Sequence, residues 1–269
     1  VNANVSIKPE PRVLEDSLWP SAIRNNIESF HQGVEHALDM LKPNPYPEGK
    51  NGYPILAKTE AMRKSAKHMA EEFRLLDINV TFDDKAENHV GIKQPMCNNC
   101  GDCVTGCNVG AKNTTAMNYL PDAYNHGAEI FTNIDVRHIE KSGNRWKVVF
   151  NVLNAGREKF DAPEMFVFAD NVFVSAGSLG STEIMLRSKA KGLSTSDLLG
   201  KRLTGNGDVL AFGYNNDEPI NGIGMGDNEI KDIANVGPCI TSVIDMRNRD
   251  NLNDGMTLEE GTVPAPIRS

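Results

Sequence analysis

A chain of 269 residues, 39% hydrophobic and 24% charged, has the composition of globular material and the length for a sizeable core and two domains. Its net charge of -8 argues against general binding to a phosphate backbone, which needs clustered Lys and Arg, so no nucleic-acid partner is expected. No run approaches the roughly eighteen apolar residues of a membrane span, and the opening VNANVSIKPEPR lacks a charged-then-apolar leader; the expectation is a cytoplasmic protein without a membrane span.

Pro9, Pro11 and Pro20 make the first segment extended and turn-rich. Ile23, Ile27, Phe30, Val34, Leu38 and Leu41 then recur at steps of three and four, which predicts one amphipathic helix stopped by Pro43. After the loop KPNPYPEGKNGYP, the spacing of Met62, Ala66, Met69, Phe73 and Leu76 predicts a second helix with its methionines in the core. A cysteine-rich loop follows, then a third predicted helix from Thr114 to His126 with Gly127 as its stop. EIFTNIDVRHIE places Ile130, Thr132, Ile134, Val136 and His138 on one side of a strand. RWKVVFNV does the same with Trp146, Val148, Phe150 and Val152, and the turn KSGN joins the two into a hairpin. In MFVFADNVFVSAGSLGSTEIMLRS, a short strand and the apolar strand Val172 to Val174 lead through Ala176 and Gly177 to a helix from about Thr182 to Ala190, the pattern of an α/β half-unit buried on both faces. DVLAFGY, CITSVIDMR and MTLEE complete the reading as strands between Gly- and Asn-rich turns.

Four of the five cysteines, Cys97, Cys100, Cys103 and Cys107, fall within CNNCGDCVTGC. An odd cysteine count in a chain expected to be intracellular disfavours a disulfide scaffold. The spacing matches the bacterial ferredoxin run, where thiolates on a turning loop converge on iron, and Gly101 and Gly106 would let the backbone fold round a cluster. Asn108 stands where that run has proline, no second run exists, and Cys239 is the remaining cysteine. An iron–sulfur cluster, tetrahedral zinc and a metal-free loop of thiols therefore all stay open. The six histidines show no metal spacing, and Asn4-Val5-Ser6 and Asn113-Thr114-Thr115 match the glycosylation acceptor pattern. Glu259 and Glu260 are adjacent, so in a strand only one of them can line a pocket.

VFVSAGSLGSTEIMLRSKAKG, followed by the Gly205–Gly207 turn, resembles the glucose-methanol-choline (GMC) family of flavin oxidoreductases, most closely its cholesterol-oxidase-like branch, through Ala176 to Glu183 and Gly205 to Gly207. The opening VNANVSIKP is similar to the family segment beside the flavin, which implies cofactor contacts at Asn2, Ala3 and Val5. IFTNIDVRHI resembles the strand whose valine backbone holds the adenine ring, here Val136. GAKNTTAMNYLPDA after the cysteines also resembles a bacterial subgroup of the family. At Ala176 and Gly177 physics and resemblance agree, because small residues after a strand leave room for a cofactor at its C-terminal edge. MTLEEGTVPAP is similar to the strand bearing the branch's glutamate base, which implies Glu260, with Glu259 as the alternative.

No GxGxxG follows a strand, and GIGMG at Gly222 to Gly226 lacks that spacing; the resemblance implies that the pyrophosphate cradle precedes this sequence and that the family's His-Asn or His-His pair follows it. Beginning at Val1 and ending in PAPIRS, the chain reads as an internal fragment, expected to be inactive by itself. The implied fold is mixed α/β (α+β), comprising part of an FAD-binding Rossmann-like domain, part of a β-sheet substrate domain and a helical N-terminal segment. The implied division is 1–112 (flavin-contacting segment, helical insert and cysteine loop), 113–206 (FAD-binding) and 207–269 (substrate-binding). The whole enzyme would oxidise the CH–OH group of an apolar, sterol-like or long-chain alcohol with FAD as hydride acceptor. The alternative is an electron-transfer module built on Cys97 to Cys107. Were a cluster present beside the flavin, an electron-acceptor protein would be a partner, and the enzyme a dehydrogenase instead of an oxidase.

Overall fold

The computed structural model of the protein describes residues 3–226 and 234–267. The chain divides into two compact units, one from residues 1–128 and 214–269, the other from 129–213. The fold is mixed α/β, and all ladders between its named strands are antiparallel.

In the first unit the predicted N-terminal helix is two pieces, α1 (Ser21–Arg24) and α2 (Ile27–Leu41). The break falls at Asn25 and Asn26, a residue type whose side chain competes with the helical backbone for hydrogen bonds. Lys42, left-handed at φ 47°, closes α2 by donating its N–H to the Leu38 carbonyl. Strand β1 (Asn44–Pro45) precedes α3 (Ala57–Met69), which stops well short of the predicted helix at Leu76. Ala70 turns left-handed at φ 55°, and Glu71 N–H bonds back to Ala66 O. Phe73 then lies in β2 (Glu72–Leu75), and β3 (Asp77–Ile78) pairs with β1. Steps of three and four had made Phe73 and Leu76 look helical; pairing of Phe73 with Ile244 decides otherwise. The predicted helix Thr114 to His126 is likewise shorter: a 3-10 turn, then α4 (Tyr119–Asn125), with Asn118 accepting from Tyr119 N–H at 2.7 Å and Gly127 at φ 86° beyond the end.

The second unit begins with the predicted hairpin, β4 (Ile134–Ser142) and β5 (Arg145–Val152), and β6 (Met165–Ala169) adds a third antiparallel strand. A bulge between Val136 and His138 breaks the predicted alternation, so that His138 and Ile139 are both buried. Residues 171–176 form no strand: an apolar strand persists only with ladder partners, and no described residue pairs with them. The same holds for DVLAFGY, where Val209 is 90% exposed. Helix α5 (Gly177–Ala190) starts earlier than predicted and packs on β4.

Returning to the first unit, β7 (Ser242–Met246) lies between β2 and β8 (Met256–Glu259). Tyr46, Tyr53 and Phe82 pack edge to face at 5.1–5.7 Å in the main core, which Leu76, Ile78, Val80 and Val243 complete. Ala66, Ile244 and Met246 form a second cluster with Met62 and Phe73 between α3 and the sheet. Met69, expected in the core, is exposed. No helix of the described residues is long and apolar enough to cross a membrane.

Candidate functional site

Val136, Ala176 and Gly177, the residues matched to cofactor contacts, lie in the second unit. β4 is an edge strand of its sheet, and α5 supplies partners for backbone groups on its open side. Arg187 donates from Nη2 to Val136 O at 3.2 Å and from Nε to Arg137 O, while Ile139 N–H donates to the buried Ser188 Oγ at 2.9 Å. Val136 is half-buried, and its carbonyl keeps a second lone pair for another donor. Ala176 precedes α5 and donates its N–H to Ser181 Oγ at 2.9 Å. Gly177 opens the helix at φ 74°, and a Cβ there would meet nothing within 4 Å. The backbone therefore demands glycine, yet no described neighbour fills the adjacent space. Arg187 and Ser188 were not singled out in the sequence; apart from their place on the helix after the matched strand, no signal marked them.

Asn2 lies outside the described residues. Ala3 is half-buried, and Val5 bridges Ile78 while its carbonyl accepts from Asn79 Nδ2 at 3.2 Å. Between them Asn4 is fully buried: its side-chain amide donates to Ile240 O at 2.6 Å and accepts from Ile240 N–H at 3.2 Å. That clamp leaves no room for the glycan its sequence pattern allows.

Glu260 is buried just past β8, in the first unit. Oε1 accepts from Thr241 N–H at 3.0 Å, Ser242 N–H at 3.1 Å and the Thr241 hydroxyl, and Oε2 accepts from the Ser242 hydroxyl at 2.7 Å. Lys58 of α3 stands 3.6 Å from Oε1, the two side chains being 1% and 6% exposed. Its ammonium also donates to Pro238 O at 2.5 Å and Cys239 O at 2.9 Å. Burial pushes the Lys58 ammonium below its ordinary range, against the pull of the Glu260 carboxylate. Glu260 is thus an anchor saturated with donors, and a reaction that uses it as a base must displace one of them. Glu259, the alternative, pairs with Val243 in the ladder.

The four clustered cysteines line one cavity of about 10 Å³, room for a single water. Among the described residues, no three of His, Cys, Asp and Glu are grouped to hold a metal ion. Cys97 belongs to the main core, and Cys103 Sγ accepts from Cys239 N–H at 3.4 Å. Burial pushes the Cys97 thiol up strongly and that of Cys103 to about 12. The loop's organiser is instead Asp102, whose oxygens accept from Gly226 N–H and Ala265 N–H, each at 2.7 Å. Gly101 packs so closely, at φ 82°, that a Cβ would stand 2.6 Å from Val236 Cγ1.

The sequence model of GMC oxidoreductase matches residues 1–205. The chain is 30% identical over 135 residues to a cholesterol oxidase of Acinetobacter baumannii, an alignment covering 48% of this chain and 24% of that protein. It is 31% identical over 117 residues to cholesterol oxidases of two Mycobacterium tuberculosis strains, covering 42% of this chain and 19% of each of them. The chain thus spans less than a quarter of the length of these relatives. With three quarters of its residues inside the family match, the chain belongs to the GMC oxidoreductase family.

Proposed function

We propose that the chain is part of an FAD-dependent oxidoreductase acting on the CH–OH group of an apolar alcohol, sterol-like or long-chain. The family match over residues 1–205 carries this reading. The bound flavin supplies the chemistry, accepting a hydride from the carbinol carbon. The chain's own residues position and shield it. The free lone pair of Val136 O takes an N–H of the adenine end, and the open face at Ala176 and Gly177 admits the cofactor where any side chain would obstruct it. Asn2, Ala3 and Val5 are assigned to the flavin end by resemblance. Glu260 serves as proton acceptor once substrate replaces one of its hydroxyl donors; its burial keeps water from competing. Residues 113–206 are the cofactor-bearing part and 207–269 the substrate-bearing part of this scheme.

Purified full-length protein should release FAD on denaturation; a colourless, flavin-free protein removes the assignment. Gly177→Ala gives a sharper test, because the added Cβ meets no described residue within 4 Å and carries only the strain of φ 74°. Flavin content should fall severalfold while the fold, followed by circular dichroism, persists. Retained flavin would place the cofactor elsewhere. Glu260→Gln combined with Lys58→Met, which leaves no unpaired buried charge, should suppress turnover and leave flavin content unchanged.

A further inference from the structure

Asn4 stands between the two ends of the chemistry assigned to the first unit. Its neighbours Ala3 and Val5 belong to the flavin-contacting segment, and its side chain reaches the approach to β7, where Glu260 is held. A fully buried asparagine pays a desolvation cost that a small apolar residue would avoid, so the position is justified only by the hydrogen bonds it makes.

Both of its side-chain bonds go to Ile240, whose carbonyl accepts from Nδ2 at 2.6 Å and whose N–H donates to Oδ1 at 3.2 Å. Ile240 O and Thr241 N–H belong to one planar peptide group. Asn4 grips the carbonyl end of that plane, and its N–H end donates to Glu260 Oε1 at 3.0 Å. A tilt of the plane therefore moves both partners, and the bond on the carbonyl polarises the N–H opposite. Thr241 is fixed on its other sides as well. Its carbonyl accepts from Leu76 N–H at 2.9 Å, and its hydroxyl, bonded to Glu260, lies 2.8 Å from Thr59 Oγ1. At the flavin end, Asn4 O accepts from Asn79 N–H at 2.7 Å, Asn79 Nδ2 donates to Val5 O at 3.2 Å, and Val5 bridges Ile78. One side-chain amide and one peptide plane thus join the flavin-contacting segment to the carboxylate.

We infer that Asn4 is a positioning residue: through the Ile240–Thr241 peptide it fixes the Glu260 carboxylate relative to the flavin-contacting segment Ala3 to Val5. The inference rests on the role of Glu260 as proton acceptor and on the flavin contact of that segment. A displacement of about 1 Å between reacting groups can cost about a hundredfold in rate, so loosening the clamp should slow flavin reduction without weakening substrate binding.

The test follows anaerobic reduction of the flavin in the full-length holoenzyme by cholesterol and by 1-dodecanol in a stopped flow, where the rate constant reports bound flavin only. Asn4→Ala should lower the limiting rate constant at least about tenfold and leave the half-saturating substrate concentration within about twofold. A merely structural role would lower the amplitude, through loss of folded molecules, and not the constant. In the Lys58→Met, Glu260→Gln background, Asn4→Ala should slow reduction no further, since the carboxylate it positions is gone. An unchanged rate constant in Asn4→Ala, or equal slowing with and without Glu260, would overturn the inference while leaving Glu260 as the base. Undiminished reduction in the Lys58→Met, Glu260→Gln protein, or no reduction of the unaltered enzyme by either alcohol, would overturn the role of Glu260 and this inference together. If Asn4→Ala yields no holoenzyme, Asn4→Ser is read by the same constant.

Discussion

Replacing Lys58 by Met tests the least solvent-accessible electrostatic feature of the chain. The substitution keeps most of the side-chain volume, so packing loss is small. What it removes is the ammonium 3.6 Å from Glu260 and the donor to the carbonyls of Pro238 and Cys239. Each orphaned buried acceptor costs about 1–3 kcal/mol, and breaking a buried ion pair by deleting one partner costs about 3–5 kcal/mol in all. Both tryptophans report usefully: Trp19 donates its indole N–H to Val13 O in the first unit, and Trp146 lies in the second. In a Trp146→Phe background, fluorescence therefore follows the first unit alone during urea unfolding. With a slope of about 2 kcal/mol/M, the midpoint should fall by roughly 1.5–2.5 M. The double variant Lys58→Met with Glu260→Gln should recover much of the loss, since no buried charge is then left unpaired. A single-variant shift below about 0.3 M, or a double variant no better than the single, would refute the buried pair.

Arg247, with Arg74 behind it, holds the Asp245 carboxyl well below the usual carboxylate range. A depressed folded-state value adds stability above the unfolded pKa of about 4 and loses it as pH falls through the folded one. Asp245→Asn should thus cost of order 1 kcal/mol at pH 7 after solvent screening, with the gap closing under acid conditions; urea midpoints that differ equally across the pH range would contradict this. Gly237→Ala places a Cβ 2.2 Å from Leu56 Cδ1 at φ 84° and should destabilise the first unit by about 2–4 kcal/mol, whereas Gly177→Ala carries backbone strain alone, about 1–2 kcal/mol. Thermal melts rank the two, and equal losses would count against the packing at Leu56. Iodoacetamide at neutral pH should modify the half-buried Cys100 and Cys107 before the buried Cys97 and Cys103, as peptide mass spectrometry can show; early labelling of Cys97 would mean that the loop is not docked as described.

Local patterns were readable in the residues themselves. The period of α2, the β4–β5 hairpin and the helix after Gly177 were all legible, because each depends on side chains a few positions apart. The family was legible too, in short motifs such as Ala176 to Glu183. Where prediction failed, a partner distant in sequence had decided the outcome. Phe73 left its helical pattern to pair with Ile244, and Val172 to Val174 formed no strand because no described neighbour offers a ladder. The cysteine spacing suggested a ligand set, whereas among the described residues no three such side chains are grouped to hold a metal ion. Glu260 could be picked out in the sequence, yet Lys58, Thr241 and Ser242, which define its environment, come from α3 and β7 and its approach. Periodicity and motif are properties of neighbouring residues and are fixed once the chain is written. Burial, charge compensation, long-range hydrogen bonds and ladder pairing join positions as much as 236 residues apart, as between Asn4 and Ile240, and exist only after the chain has closed on itself.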